Sequence, residues 1–508
     1  MSRVDKVAKN MKIALLCQML TAVESFVLRS VFVACLDEVY LGLNGLFADI
    51  LSMLSLAELG FGTSIIFSLY KPVANSDKEK IKSLMRLYRN IYAIVGAFVL
   101  IAGLSLAPRL DLFLKEMPDI PHLRLIYAMS VINSAASYFF VYKASLLFAD
   151  QKKYVELIIT TAVKFVGVLV QIVVLLLTHN YIALMAVIIA TTLVQNICIS
   201  ASTDKRYPYL KDKNVRPLEK EDKLTLKTNV GAMVFHKFGS VAIFSTDSIL
   251  MAKLVSVVSV GLYSNYMLIR KAIIMVVEVM FNGITSGMGN LSACEGGERR
   301  CEAFENIYFF SAWIFGFASI CLAELYNPFI TLWLGEHFTF GRGVVLLIVL
   351  YFYLYCMRIP VCSAKEAMGL FRQDKYKPIA EVVLNLVISI VLAKKIGIAG
   401  VILGTILSTL LVPFWIEPLV VYRWGFKKNV IGFFARFGLY TLVTLAVWQL
   451  TAFLCSLTPD GFLGFVIKMA ICTAVPNAAF ALIYCKTKEF AYLKSIGFSM
   501  LKKFIRRA

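Results

Sequence analysis

Lys164, Lys237, Arg270 and Lys271 each stand inside a long run of apolar residues, well away from the polar breaks on either side. On a helix rising 1.5 Å per residue, each lies about 12 to 15 Å from the nearer break. A cation facing lipid at that depth costs roughly 2.5 to 3.5 kcal/mol on insertion scales, so these four must face a wet or paired interior. They are anion-site candidates, because Lys and Arg give phosphate oxygens charge-assisted hydrogen bonds, the alternative being buried ion pairs that hold the lobes together. Arg29, in the first apolar run, is a fifth basic candidate for the same site. Lys143, Arg436 and Lys468 sit near the ends of their runs, where a long side chain reaches the interface by snorkelling.

Acids share these runs: Glu24, Asp49, Glu58, Asp247, Glu278, Glu381 and Glu417. Glu24 and Glu58 are deep enough either to bind a coupling proton or sodium ion or to neutralise a Lys or Arg on a neighbouring helix, and both readings stay open. Asp49 and Glu278 are further coupling or charge-partner candidates. Lys271 and Glu278, seven residues apart, share nearly one helix face and compensate each other's charge. The eleven cysteines are scattered, and the close pairs Cys294/Cys301 and Cys356/Cys362 lack C-x-x-C spacing. His122, His179, His236 and His337 show neither ligand nor triad spacing. The expectation is a transporter without covalent chemistry, metal site or cofactor beyond a coupling H+ or Na+.

The elements that must position these charges are membrane helices. Of 508 residues, 59% are apolar and 17% charged, with a mean hydropathy of +0.76, too little polar surface for soluble domains. Apolar runs of membrane-spanning length lie near 11–33, 43–70, 89–108, 124–148, 155–177 and 181–201, then near 229–252, 260–290, 307–327, 342–360, 379–396 and 400–421, with two more near 432–456 and 462–485. The fold class is therefore an all-α polytopic membrane protein of about fourteen transmembrane helices: two six-helix lobes related as parallel repeats, plus two C-terminal helices. Residues 1–203 form the first lobe, 204–228 a solvated linker, 229–421 the second lobe, 422–485 helices 13 and 14, and 486–508 a basic tail. Most of the 52 Lys and Arg fall in alternate loops and in that tail, which places both termini in the cytoplasm by the positive-inside rule. The net charge of +20 is thus used up by topology and implies membrane lipids, not nucleic acid, as the surroundings.

The halves repeat. Asn10 falls on Asn229 and Gly42-Leu43 on Gly261-Leu262 at one offset, and Gln151-Lys152-Lys153-Tyr154 matches Gln373-Asp374-Lys375-Tyr376 at nearly the same one. Six helices per half give both halves the same orientation, so the repeats are parallel and relate through an axis along the membrane normal, a design that permits alternating access.

Four stretches carry a resemblance. LSLAELGFGTSIIFSLYKP (Leu54 to Pro72), NPFITLWLG (Asn327 to Gly335), GLFRQDKYKP (Gly369 to Pro378) with Glu381 and Asn385 following, and GVILGTILS (Gly400 to Ser408) occur in the order in which similar segments stand in one family. The chain resembles the polysaccharide-repeat-unit flippases of the multidrug, oligosaccharidyl-lipid and polysaccharide exporter superfamily over almost its whole length. The resemblance implies residence in the bacterial cytoplasmic membrane and movement of an undecaprenyl-diphosphate-linked oligosaccharide, a repeat unit of capsule, O-antigen or another surface polysaccharide, from the cytoplasmic to the outer leaflet. Polysaccharide polymerase machinery is the implied protein partner. Helices 13 and 14 resemble the additional pair of the related lipid II flippases, where an apolar groove takes the lipid tail. Two other functions compete: a multidrug or organic-cation antiporter of the same superfamily, which would favour an acidic cavity, and a membrane-embedded glycan polymerase or ligase, which would need a larger outer loop than Arg109 to His122.

Overall fold

The computed structural model describes residues 3–58, 61–212, 214–218, 245–294, 297–370 and 373–495, and among them every regular element is helical. The helices are α1 (Arg3–Cys35), α2 (Glu38–Leu54), α3 (Phe61–Ala74), α4 (Lys78–Leu106), α5 (Leu123–Tyr138), α6 (Tyr142–Ala149), α7 (Lys153–Thr178) and α8 (Tyr181–Arg206). Next come α9 (245–254), α10 (Val257–Cys294), α11 (Gly297–Leu334), α12 (Arg342–Ala367), α13 (Lys377–Ile396), α14 (Ile398–Leu411), α15 (Pro413–Val420), α16 (Ile431–Ser456) and α17 (Gly461–Tyr484). Nine of the described helices are long and apolar enough to cross a bilayer, ten when α5 and α6 count as one bent span. The protein is an all-α polytopic membrane protein.

Within the described residues each expected run corresponds to helix, the part of the 229–252 run before residue 245 lying outside them, but three runs are broken. The run at 43–70 splits into α2, a 3-10 turn over Ser55–Glu58, and α3; Gly60 and Gly62 beside the break are poor helix formers. The run at 124–148 bends by 41° between α5 and α6, where Phe139 is extended and Phe140 has φ of 67°. The run at 400–421 breaks at Val412, whose successor Pro413 disfavours helical geometry in the residue before it. Polar caps start several helices: Asp77 accepts from the Lys80 amide at 3.0 Å for α4, and Asn180 accepts from the Ile182 amide at 2.8 Å for α8.

The chain forms two compact units, Met1–Ser264 and Asn265–Ala508, so the division falls inside α10. Residues 245–264, expected with the second lobe, pack with the first unit. Two contacts explain this. Lys253 Nζ donates to the carbonyls of Asp111 and Leu114 at 2.8 and 3.1 Å. A side chain on Gly261 would meet the Gly42 nitrogen at 2.9 Å, so backbone lies against backbone. Gly42 and Gly261 are the residues that the internal repeat makes equivalent, and both need the absence of a Cβ for this approach.

The described part of the linker is largely exposed but docks on the first unit through a few residues. Tyr207, Tyr209, Leu210 and Leu218 pack onto a core that includes Ile81, Leu84, Tyr88 and Leu147. Lys82 Nζ donates to Asp212 Oδ2 at 2.8 Å and to the Asn214 carbonyl at 3.3 Å, while Ser83 Oγ donates to the Arg216 carbonyl at 2.6 Å. The hydrogen bond from Lys82 holds the Asp212 carboxyl below its ordinary range. Burial, then the bond to Asp150, pushes the Tyr207 phenol up. In the second unit α16 and α17 pack against α11, tied by Trp313 Nε1 donating to Asn477 Oδ1 at 2.9 Å and Trp448 Nε1 donating to Glu324 Oε1 at 2.8 Å.

Candidate functional site

Two of the candidate charges, Glu24 and Lys164, meet where α1 and α7 pack. These helices pack along their length, which brings Glu24 close enough to Lys164 for their charges to attract. Glu24 is only 7% exposed and its Oε1 has no hydrogen-bond partner, whereas Lys164 is exposed. Five residues on from Glu24, Arg29 donates from Nη1 to Ser264 Oγ at 2.8 Å. The seam therefore holds a buried carboxylate facing an open ammonium, with a guanidinium anchored on α10 in the same unit.

In the second unit, Arg270 is 5% exposed. Its guanidinium carbon lies 4.7 and 4.8 Å from the ring centroids of Tyr351 and Tyr355, both on α12, and Nη1 approaches Met267 Sδ at 3.5 Å. Such a cation between two aromatic faces gains roughly 0.5 to 2 kcal/mol per ring. Lys271, its neighbour in sequence, points the other way and is exposed. The adjacent pair thus separates into one cation packed in rings and one open. Glu58, in the 3-10 turn, accepts from the Tyr92 hydroxyl at 3.1 Å, and Asp49 is half-buried on α2 and engaged with a partner. Lys237 and the side chain of Glu278 lie outside the described residues.

Sequence reasoning passed over the densest charge cluster. Arg358 on α12 donates from Nε and Nη2 to the two carboxylate oxygens of Glu417 on α15, both at 3.0 Å. Lys377 on α13 donates to the same carboxylate, and Glu381 stands 3.7 Å from Arg358 Nη1. Lys365 donates to Asp374 Oδ2 at 2.6 Å, and Lys377 is 3.8 Å from that oxygen. Three cations face three carboxylates, so the cluster is neutral. Glu381 and Glu417 were legible as intramembrane acids, but their partners come from residues 23 and 59 positions away from Arg358, a separation without a spacing signature. The signal available was Arg358 itself, inside an apolar run, with Lys365 ahead of the QDKYKP turn and Lys377 within it.

Two bases expected to snorkel are instead paired. Lys143 Nζ donates to both oxygens of Asp204 at 2.7 Å and to Ser200 Oγ at 2.8 Å, because α8 presents an acid and a hydroxyl one turn apart on one face. Arg436 Nη1 is 2.6 Å from Glu305 on α11. Among the described residues no group of three His, Cys, Asp or Glu is arranged to hold a metal ion.

This arrangement of helices is a known one: the fold is that of transporters of the MOP superfamily. The chain is similar to the lipid II flippase MurJ in an inward closed conformation, with a TM-score of 0.65 and 12% identity, over 92% of this chain and 99% of that one. It is similar also to a multidrug resistance MATE family transporter of the superfamily in an inward-facing conformation, with a TM-score of 0.61 and 12% identity over 81% and 98% of the two chains. A third neighbour is a MOP superfamily transporter from Pyrococcus furiosus, described as having a binding pocket of reverse polarity, with a TM-score of 0.52 and 14% identity over 84% and 96%. No protein-family model matches the sequence, nor does any curated protein.

Proposed function

We propose that the protein is a flippase that carries an undecaprenyl-diphosphate-linked oligosaccharide from the leaflet on the basic-loop side, the cytoplasmic one, to the outer leaflet by alternating access, with ion coupling at Glu24. The observation that carries this reading is the pair of open lysines, Lys164 and Lys271, at mid-span depth in helices of a lipid-flippase fold. A lipid-facing ammonium at that depth is costly, so each is a cation kept for a polar visitor, and a diphosphate is the part of the proposed substrate that needs one. The coverage adds support. The similarity to MurJ takes in 92% of the chain and that to the MATE transporter 81%, a difference of the size of α16 and α17 together.

A second reading, export of organic cations by proton or sodium antiport, is favoured by the similarity to the MATE transporter and by the buried acid on α1. The neighbour with reverse pocket polarity suggests that one fold serves substrates of either charge. The deciding experiment follows radiolabelled polyprenyl-diphosphate oligosaccharide after depletion of the protein. The flippase reading expects accumulation in the cytoplasmic leaflet, relieved by the wild type and not by the Lys164→Ala, Lys271→Ala double variant. No accumulation, together with lost resistance to lipophilic cations, would establish the exporter instead. Glu24→Gln that leaves transport and its ion dependence intact removes Glu24 as the coupling residue.

A further inference from the structure

Three thiols meet where α11, α16 and α17 pack together. Cys455 on α16 and Cys472 on α17 place their sulfurs 3.8 Å apart, and Cys321 on α11 directs its thiol to the Cys472 carbonyl at 3.6 Å. Cys455 and Cys472 are 2% and 0% exposed. We propose that Cys455 and Cys472 form a dithiol site that a membrane-dissolved quinone oxidises to a disulfide, stapling α16 to α17.

Partner choice follows from the contacts. Cys472 has both other thiols as neighbours: the sulfur of Cys455 stands 3.8 Å from its own, while Cys321 also directs its hydrogen to the Cys472 backbone oxygen. Closing the gap from 3.8 Å to the roughly 2 Å of a disulfide requires the sulfurs to approach by about 2 Å. The helices are already held at this level. Glu324 accepts from Trp448 on α16, and Phe329 packs on Phe465 of α17 at 6.2 Å. The bond would close a loop of 17 residues around the turn between the two helices.

The oxidant follows from solubility. Both sulfurs are shut from water, while the outward faces of the same helices show Phe453, Leu457, Val466 and Met469. Neither sulfur is open to any molecule in this arrangement, so the reaction awaits a local parting of the helices, and their apolar outward faces then meet a quinone dissolved in the bilayer before any polar oxidant. Each thiol releases its proton, the sulfurs lose two electrons as the S–S bond forms, and the quinone takes both electrons and two protons to leave as the quinol. Reduction by a dithiol reverses the step.

The test uses the full chain in lipid nanodiscs with an isoprenoid benzoquinone substituted at every ring position, so that no thiol can add to the ring. After quenching with N-ethylmaleimide, the unreduced digest is read by mass spectrometry. The expected result is a peptide linking Cys455 to Cys472 that appears with quinone, vanishes with dithiothreitol, persists in Cys321→Ser and is lost in Cys455→Ser. Alkylation of both thiols in quinone-treated wild type would overturn the proposal, and that arm needs no variant to fold. Linkage of Cys472 to Cys321 would overturn the pairing. A membrane-impermeant, water-soluble oxidant that forms the same bond at the same rate would overturn the quinone route.

Discussion

Replacing Glu417 by Gln removes one negative charge from a neutral cluster and changes its volume little. Glu417 is 1% exposed and accepts from Arg358 at 3.0 Å twice and from Lys377. The amide keeps one acceptor for Arg358 but turns an NH2 group toward the remaining donors. Lys377 is left with Asp374 at 3.8 Å, already bonded to Lys365 at 2.6 Å. The cluster then carries one uncompensated positive charge away from water, and breaking a buried pair by removing one member costs about 3 to 5 kcal/mol. That is a large share of a typical protein's stability, about 5 to 15 kcal/mol. Unfolding of the purified protein by SDS in mixed micelles, followed by Trp fluorescence, should therefore show a midpoint far below that of the wild type. Glu381→Gln should cost less, because Glu381 stands 3.7 Å from Arg358 and leaves the bidentate pair intact. The double variant Arg358→Met, Glu417→Leu should recover part of the loss relative to Glu417→Gln, since removing both charges leaves fewer buried orphans. Wild-type stability in Glu417→Gln would refute the reasoning.

The other expectations concern packing, the Arg270 sandwich and the docked linker. Gly404→Val should lower folded yield and stability by about 1 to 3 kcal/mol, because a Cβ at Gly404 would fall 2.6 Å from the Ser389 Cα; the monodisperse fraction on size exclusion reads this. Arg270→Lys should cost about 1 to 2 kcal/mol by exchanging a planar group between two rings for an ammonium, read by the same SDS titration. For Asp212 the folded carboxyl titrates below its ordinary value because of Lys82. Its contribution to holding residues 207–218 is therefore present above the unfolded pKa and lost as pH falls through the folded one. Cleavage in that segment by an acid-active protease should rise as pH drops through that window in the wild type and be raised throughout in Asp212→Asn.

The membrane class and the run of helices were legible because apolar length is a local property of sequence. Breaks were less so: Pro413 marks one plainly, whereas the bend at Phe139 and Phe140 has no proline or glycine to announce it. Motifs read as family marks turn out to hold helices. Asn327, from NPFITLWLG, accepts from the Tyr266 hydroxyl at 2.7 Å and donates to the Phe340 carbonyl at 2.8 Å. Gly400 and Gly404, from GVILGTILS, lie against the backbone of α13. Lys365, Asp374 and Lys377 around QDKYKP belong to the neutral cluster. Depth along a helix singled out Glu24 and Arg270, which are buried, together with Lys164 and Lys271, which are exposed, and it could not tell a paired base from an open one. Lys143 looked like an interfacial lysine because its partner Asp204 is 61 residues away.

That distinction decides which cations the proposed substrate can use. A diphosphate arriving at Arg358 must displace Glu417, Lys377 must give up the same carboxylate, and the expelled acid would remain without a partner. The exchange trades one anion for another at the cost of reordering a filled, neutral cluster. Arg270 offers little more, since its guanidinium faces are covered by Tyr351 and Tyr355. Lys164 and Lys271 need give up no buried partner of this kind. Lys164 is opposed by Glu24, whose Oε1 still lacks a hydrogen bond. Protonation of Glu24 would free Lys164 for a phosphate oxygen, and binding of that oxygen would in turn favour the protonated acid. Under the proposed function, ion coupling and substrate binding would be one linked equilibrium at a single helix seam, and Glu24→Gln should uncouple them by leaving Lys164 permanently available.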